Sequence, residues 1–218
     1  MEVKMDGFSF FKESSLLSIA KKEVINMLEK SKEMYIYSVN AVFEKHEVPI
    51  DIYKYDQELN RMQIDIRKKV LEHLSISPAQ DISFSLTLIN LAVDIERVGD
   101  YSKNLLELAQ KYPEKLTGIY VDELKDIHNT VLENFSKTIN AYENDDKRLG
   151  KEVMETHAQL AVRCEKIIDK IIEDEKIGSR MGIILALLAR YLKRVSAHLK
   201  NVASSVVNPF YMLGYKPE

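Results

Sequence analysis

The stretch LAVDIERVGDYSKNL, Leu91 to Leu105, lies without a gap over LARYLKRVSAHLKNV, Leu188 to Val202. Leu, Ala, Arg, Val, Lys and Asn match, and Ile95 pairs with Leu192. The displacement is 97 residues, close to half of the 218-residue chain, which points to internal duplication of one structural unit. In the first copy the apolar residues Leu88, Leu91, Ile95, Val98, Leu105, Leu108 and Ala109 recur mostly at three- and four-residue steps. That spacing places them on one helical face.

Working outward, Pro49, Pro78, Pro113, Gly118, Gly150 and Gly178 punctuate long stretches of the same periodicity. The first runs from about Ser14 to Lys45, with Ser14 or Ser15 as its cap. The second spans Asp51 to Leu74. The third begins with Ser77 as cap and Pro78 in its first turn, and reaches about Tyr112. A second set of three follows, about Val121 to Tyr142, Asp146 to Glu175 and Ser179 to Val207. The expected fold is all-α, six long antiparallel helices forming two tandem three-helix bundles. The boundaries read as an N-terminal tail over 1–12, repeat one over 13–117, repeat two over 118–208, and a C-terminal tail over 209–218.

Composition excludes other classes. Seven Gly and five Pro are too few for the turns of an all-β protein. A lone Cys164 rules out an intrachain disulfide framework or a Cys-based zinc site and suits a reducing cytosol. A net charge of -3 lacks the positive field that nucleic acid needs. The longest apolar run, Met181 to Ala189, is closed by Arg180 and Arg190 and is too short to span a bilayer, so no membrane insertion is expected. The Phe8–Phe11 region lacks a signal-peptide pattern.

Catalytic motifs are missing. There is no P-loop and no G-x-G-x-x-G, and no His follows a Glu at the spacing of a di-iron bundle. Cys164 has no His one turn away and reads as a small buried hydrophobe. What remains is DIERVGD, Asp94 to Asp100. Glu96 and Asp100 stand at i and i+4, two like charges on one helical face that need compensation. Arg97 could supply it on a solvated charged face, the simpler reading from these residues alone. The sharper reading is a cation held by carboxylate oxygens, completed from a neighbouring helix.

L-x-x-D-I-E-R-V-G-D-Y-x-x-N-L after a Pro-led helix start resembles the signature of the PhoU family, over roughly Ser14 to Val207. The resemblance implies two three-helix repeats, each with an E/D-x-x-x-D motif. It implies a cytoplasmic negative regulator of the phosphate response, not an enzyme, that connects the phosphate ABC transporter ATPase with a sensor histidine kinase. It also implies metal binding. Glu96 and Asp100 match the motif, Asp94 matches the acid that commonly precedes it, and Asp56 and Glu58 lie in a stretch that resembles the family's second acidic stretch. The second repeat departs from the pattern, with Lys193 and Ala197 where the family has Glu and Asp, while Arg194, His198 and Asn201 still resemble it. His157 and Glu155 lie near the expected neighbouring stretch. The expectation is therefore one metal site at most, divalent or iron-type, on Glu96, Asp100 and Asp94 with Asp56 or Glu58. The rival is an accessory helical scaffold that modulates a transporter without metal control. The oligomer stays open, a homodimer included.

Overall fold

The computed structural model describes residues 7–45, 48–79, 81–112 and 114–215, with side chains from Leu16 onward. Six helices follow one another: α1 (Gly7–Glu44), α2 (Ile52–Ile76), α3 (Ile82–Lys111), α4 (Ile119–Asn144), α5 (Lys147–Glu173) and α6 (Ser179–Val207), then a 3-10 turn at Phe210–Met212. The described residues contain no strand. The all-α reading holds, and both halves of the duplicated stretch lie on the third helix of their unit. Even the helix starts agree, since Ser179 is Ile82 displaced by the same 97 residues.

Local chemistry repeats as well. Asp51 Oδ1 accepts the backbone N–H groups of Tyr53 and Lys54 at the start of α2, both at 3.1 Å. Asp146 Oδ1 does the same for Arg148 and Leu149 at the start of α5, at 2.9 and 3.0 Å. Each cap satisfies two donors that a helix start leaves orphaned and is worth about 1 kcal/mol.

Two helix starts differ from expectation. α1 begins at Gly7, so Ser14 and Ser15 lie inside it, and residues 7–12 are helix where a tail was expected. No Gly or Pro stands between Gly7 and Pro49 to end the helix sooner. Pro78 sits in the turn before α3 and not in its first turn. The Ser77 N–H bonds back to the His73 carbonyl and closes α2, and Asp81, at φ 53°, opens α3.

Within each half all three helices pack on one another; between halves α3 packs on α6 and α1 on α4. Ile95, Val98, Leu192 and Val195 are fully buried in one continuous core, so the two bundles share an interior. Tyr35 on α1 and His128 on α4 meet inside it, Oη to Nδ1 at 3.0 Å. Burial pushes the His128 ring down to about 4, so it stands neutral at pH 7. Gly150 lets α5 approach α6 closely: a Cβ there would stand 2.9 Å from the Ala203 carbonyl oxygen. No helix among the described residues is long and apolar enough to cross a membrane.

Candidate functional site

The acids of the DIERVGD stretch divide between two faces of α3. Residues two apart on a helix point about 200° from one another. Asp94 therefore faces α6, where its Oδ1 accepts from His198 Nδ1 at 2.7 Å and Asn201 Nδ2 at 2.9 Å. A carboxylate can only accept, which fixes the ring proton on Nδ1. Glu96 and Asp100 face the other way. The same geometry splits the acids of α2: Asp56 points to α3, while Glu58 binds Lys30 of α1 at 2.6 Å.

Asp56, Glu96 and Asp100 thus come together between α2 and α3, and a lysine lies among them. Lys103 Nζ is 2.8 Å from Asp56 Oδ1 and 3.0 Å from Asp100 Oδ1. Arg97 Nη1 bonds the other Asp100 oxygen at 2.8 Å, and its Nε lies 3.7 Å from Glu96. Burial pulls the Lys103 ammonium down, but its bonds to Asp56 and Asp100 outweigh that and hold it above its ordinary value. Glu96 has no such bond. Burial first, then the Asp100 charge, raises its carboxyl, with Arg97 opposing. A cleft of about 390 Å³, lined by Tyr53, Arg97, Asp100, Tyr101, Lys103 and Glu107, opens beside the cluster.

This arrangement bears on the expected metal. A hard cation wants about six oxygens. The oxygens that converge here already hold an ammonium, and the described residues assemble no group of three or more His, Cys, Asp or Glu able to hold a metal ion. As folded, the donor set fits a tethered lysine and not a metal. Asp94 and Glu58 are not brought to the cluster, since each faces a different helix, Asp94 toward α6 and Glu58 toward α1.

The corresponding place in the second half has lost its acids. Glu96 becomes Lys193, Asp100 becomes Ala197, and Lys103 becomes Lys200 under the 97-residue offset. Counted from the capping aspartates Asp51 and Asp146, Asp56 becomes Lys151. Lys193 pairs with Glu165 of α5. His157 Nδ1 lies 3.0 Å from Ser196 Oγ, and burial, with the charges of Lys200 and Lys193, lowers the ring to about 4. Lys200 donates to the Gly214 carbonyl at 2.6 Å. Cys164 is buried and its thiol is pushed up to about 12 by that burial, an inert group.

The PhoU domain matches this chain in two segments, residues 24–109 and 124–206, one on each half of the duplicated fold. The chain belongs to the PhoU family. It is 23% identical over 203 residues to a phosphate-specific transport system accessory protein PhoU homolog of Synechocystis, covering 91% of this chain and 90% of that one. A PhoU homolog 1 of Thermotoga maritima, also titled as such an accessory protein, is 21% identical over 209 residues, with 93% and 89% covered. Among solved structures, the phosphate transport system regulatory protein PhoU of Streptococcus pneumoniae shares the fold at a TM-score of 0.80 and 15% identity, over 89% of this chain and 95% of that one. PhoU of Pseudomonas aeruginosa does so at 0.66 and 17%, over 91% and 95%.

For this PhoU chain, the sequence pattern located Glu96, Asp100 and Asp56 but passed over Lys103. The signal was present: Lys103 stands at i+3 from Asp100, one helical turn on. His157 was noticed but not its contact with Ser196, because that pairing depends on the register of α5 against α6.

Proposed function

We propose that this PhoU protein regulates phosphate uptake by binding, not by catalysis. Its partners are the ATPase of a phosphate ABC transporter and the sensor histidine kinase of the phosphate response, on the cytoplasmic side of the membrane. The observation that carries this reading is that the family match spans both repeats and that the similarity covers 90% and 89% of the two phosphate-specific transport system accessory proteins compared above. The side-chain chemistry agrees: the thiol is inert, and the clustered acids are matched by Arg97 and Lys103 and not poised as an acid and base pair.

Of the two forms this regulator could take, the lysine-filled acid cluster favours the one without metal control. Control then runs through protein contacts alone. A strain lacking the chain should express its phosphate-uptake genes in phosphate-rich medium, and the tagged full chain should retain the transporter ATPase on affinity purification. Unchanged expression in the deletion strain together with no retention of the ATPase would reject the reading.

A further inference from the structure

The chain's own C-terminal turn occupies a place on the second repeat that stands open on the first. After α6 the chain doubles back, and Lys200 Nζ donates to the Gly214 carbonyl at 2.6 Å while the Gly214 N–H donates to Ser204 Oγ at 2.7 Å. Asn208 Nδ2 fixes the turn by donating to the Met212 and Tyr215 carbonyls. Gly214, at φ 80°, passes so close to α6 that a Cβ there would stand 2.7 Å from Asn201 Oδ1. Lys200, Asn201 and Ser204 thus form a seat for a glycine turn and hold it by its backbone.

Displaced by 97 residues, that seat becomes Lys103, Asn104 and Glu107 of α3. All three line the open cleft of about 390 Å³ beside the acid cluster. The chain that follows α3 does not double back into it, because it runs on toward α4, with the Lys111 carbonyl bonded by Arg180 of α6 and the Tyr112 carbonyl by Lys45. The open seat also differs in charge. Ser204 gives way to Glu107, an acid that bonds no cation among the described residues. Arg97 and Lys103 stand against Asp56, Glu96, Asp100 and Glu107, so the acids outnumber the cations by two. Tyr53 and Tyr101 form part of the wall, and Tyr53 is half exposed. Aromatic faces and an excess of carboxylates both attract a cation.

We propose that this α2–α3 cleft is the docking site for a glycine turn of a partner protein, one that carries a lysine or arginine beside the glycine. The turn lies along Asn104 as Gly214 lies along Asn201, and its cation meets Glu107 and the tyrosine rings. Lys103 stays with Asp56 and Asp100, so the partner's cation takes over the anchoring that the Lys200 ammonium gives to the chain's own turn. The proposal rests on the reading that control runs through protein contacts, and it gives one such contact a place and a chemistry.

The test titrates the full chain at pH 7 with a disulfide-closed synthetic peptide that carries Met-Leu-Gly-Tyr-Lys, the sequence at 212–216, and follows the side-chain amides of Asn104 and Asn201 by NMR. The expected result is saturable movement of the Asn104 signals with those of Asn201 unchanged. Glu107→Lys, at a half-buried surface position, should weaken binding about fivefold or more. A peptide with Glu in place of its Lys should bind the parent chain poorly and the Glu107→Lys chain better, an exchange that a merely misfolded variant would not show. The proposal fails if nothing saturates, if only Asn201 responds, which marks exchange with the chain's own tail, or if Glu107→Lys binds both peptides as the parent does. Neither transporter nor kinase takes part, so failure here leaves the proposed regulator standing, and failure to retain the ATPase leaves the peptide result standing.

Discussion

Asp94 and His198, separated by 104 residues of sequence, meet at 2.7 Å across the seam between α3 and α6. Displaced by the repeat offset, this pair becomes Tyr191 and Tyr101, whose rings also meet, 6.0 Å between centroids. Each contact is the symmetry image of the other, so an internal two-fold axis runs through the seam. One side of the axis is polar and the other aromatic, and the His198 ring joins them by stacking on Tyr101 at 5.8 Å.

Asp94→Ala should cost about 1 to 3 kcal/mol, because it strips the acceptor from two partly buried donors, His198 and Asn201. Urea unfolding of Asp94→Ala, His198→Ala and the double variant measures the coupling. A cycle that closes additively would mean the contact contributes nothing to joining the halves.

Lys103→Met should leave Asp56 and Asp100 as uncompensated like charges and lower stability at pH 7 by about 1 to 2 kcal/mol. It should also open the cluster to manganese: elemental analysis after dialysis should find more metal on this variant than on the parent. The added substitutions Glu96→Ala and Asp100→Ala should remove that gain. Equal metal on parent and Lys103→Met would show that the ammonium does not occupy a cation's place.

Glu96→Gln should stabilise the protein at neutral pH. Burial and the Asp100 charge raise the Glu96 carboxyl, so the native state binds its proton more tightly than the unfolded chain does. The native fold gains from a protonated Glu96 and loses that gain as pH rises through the raised value. The difference between Glu96→Gln and parent in thermal midpoint should therefore be positive at pH 7 and shrink toward the ordinary carboxylate range near pH 4. A difference that does not change with pH would contradict the assignment.

His128 predicts loss of stability in acid. Its ring is lowered from 6.5 to about 4 by burial, so between those values the unfolded state takes up a proton that the native state refuses. Stability is complete above pH 6.5 and falls through this window, by about 3 kcal/mol in all. His128→Phe combined with Tyr35→Phe, which removes both members of the buried pair, should remove this contribution and leave only that of His157, whose ring is also lowered to about 4. The same slope in the double variant would place its origin elsewhere.

Much of the fold was legible because helical period and duplication are properties of the chain itself. Leu91 to Leu105 and Leu188 to Val202 sit on equivalent helices, and the segments expected to begin at Asp51 and Asp146 do begin there, with those aspartates as their caps. Pro78 misled because a proline after a serine serves the end of one helix as well as the start of the next. Only the Ser77 to His73 bond decides between them. At the site, the i to i+4 step from Glu96 to Asp100 was readable, but the partners across helices were not. Asp56 and Glu58 are two residues apart and face different neighbours, a choice made by how α1, α2 and α3 pack. Asp94 was grouped with Glu96 by proximity in sequence, although the helix turns them apart.

The seam has a consequence for assembly. In a dimer of identical halves every substitution occurs twice, so a contact on one side of the axis must be copied on the other. Fusion of the halves into one chain removes that constraint. Asp94 with His198 and Tyr101 with Tyr191 could then diverge separately, which gives the molecule a distinct front and back. A partner that docks across the axis meets a surface with only one correct orientation, and a single chain can offer different faces to different proteins at the same time.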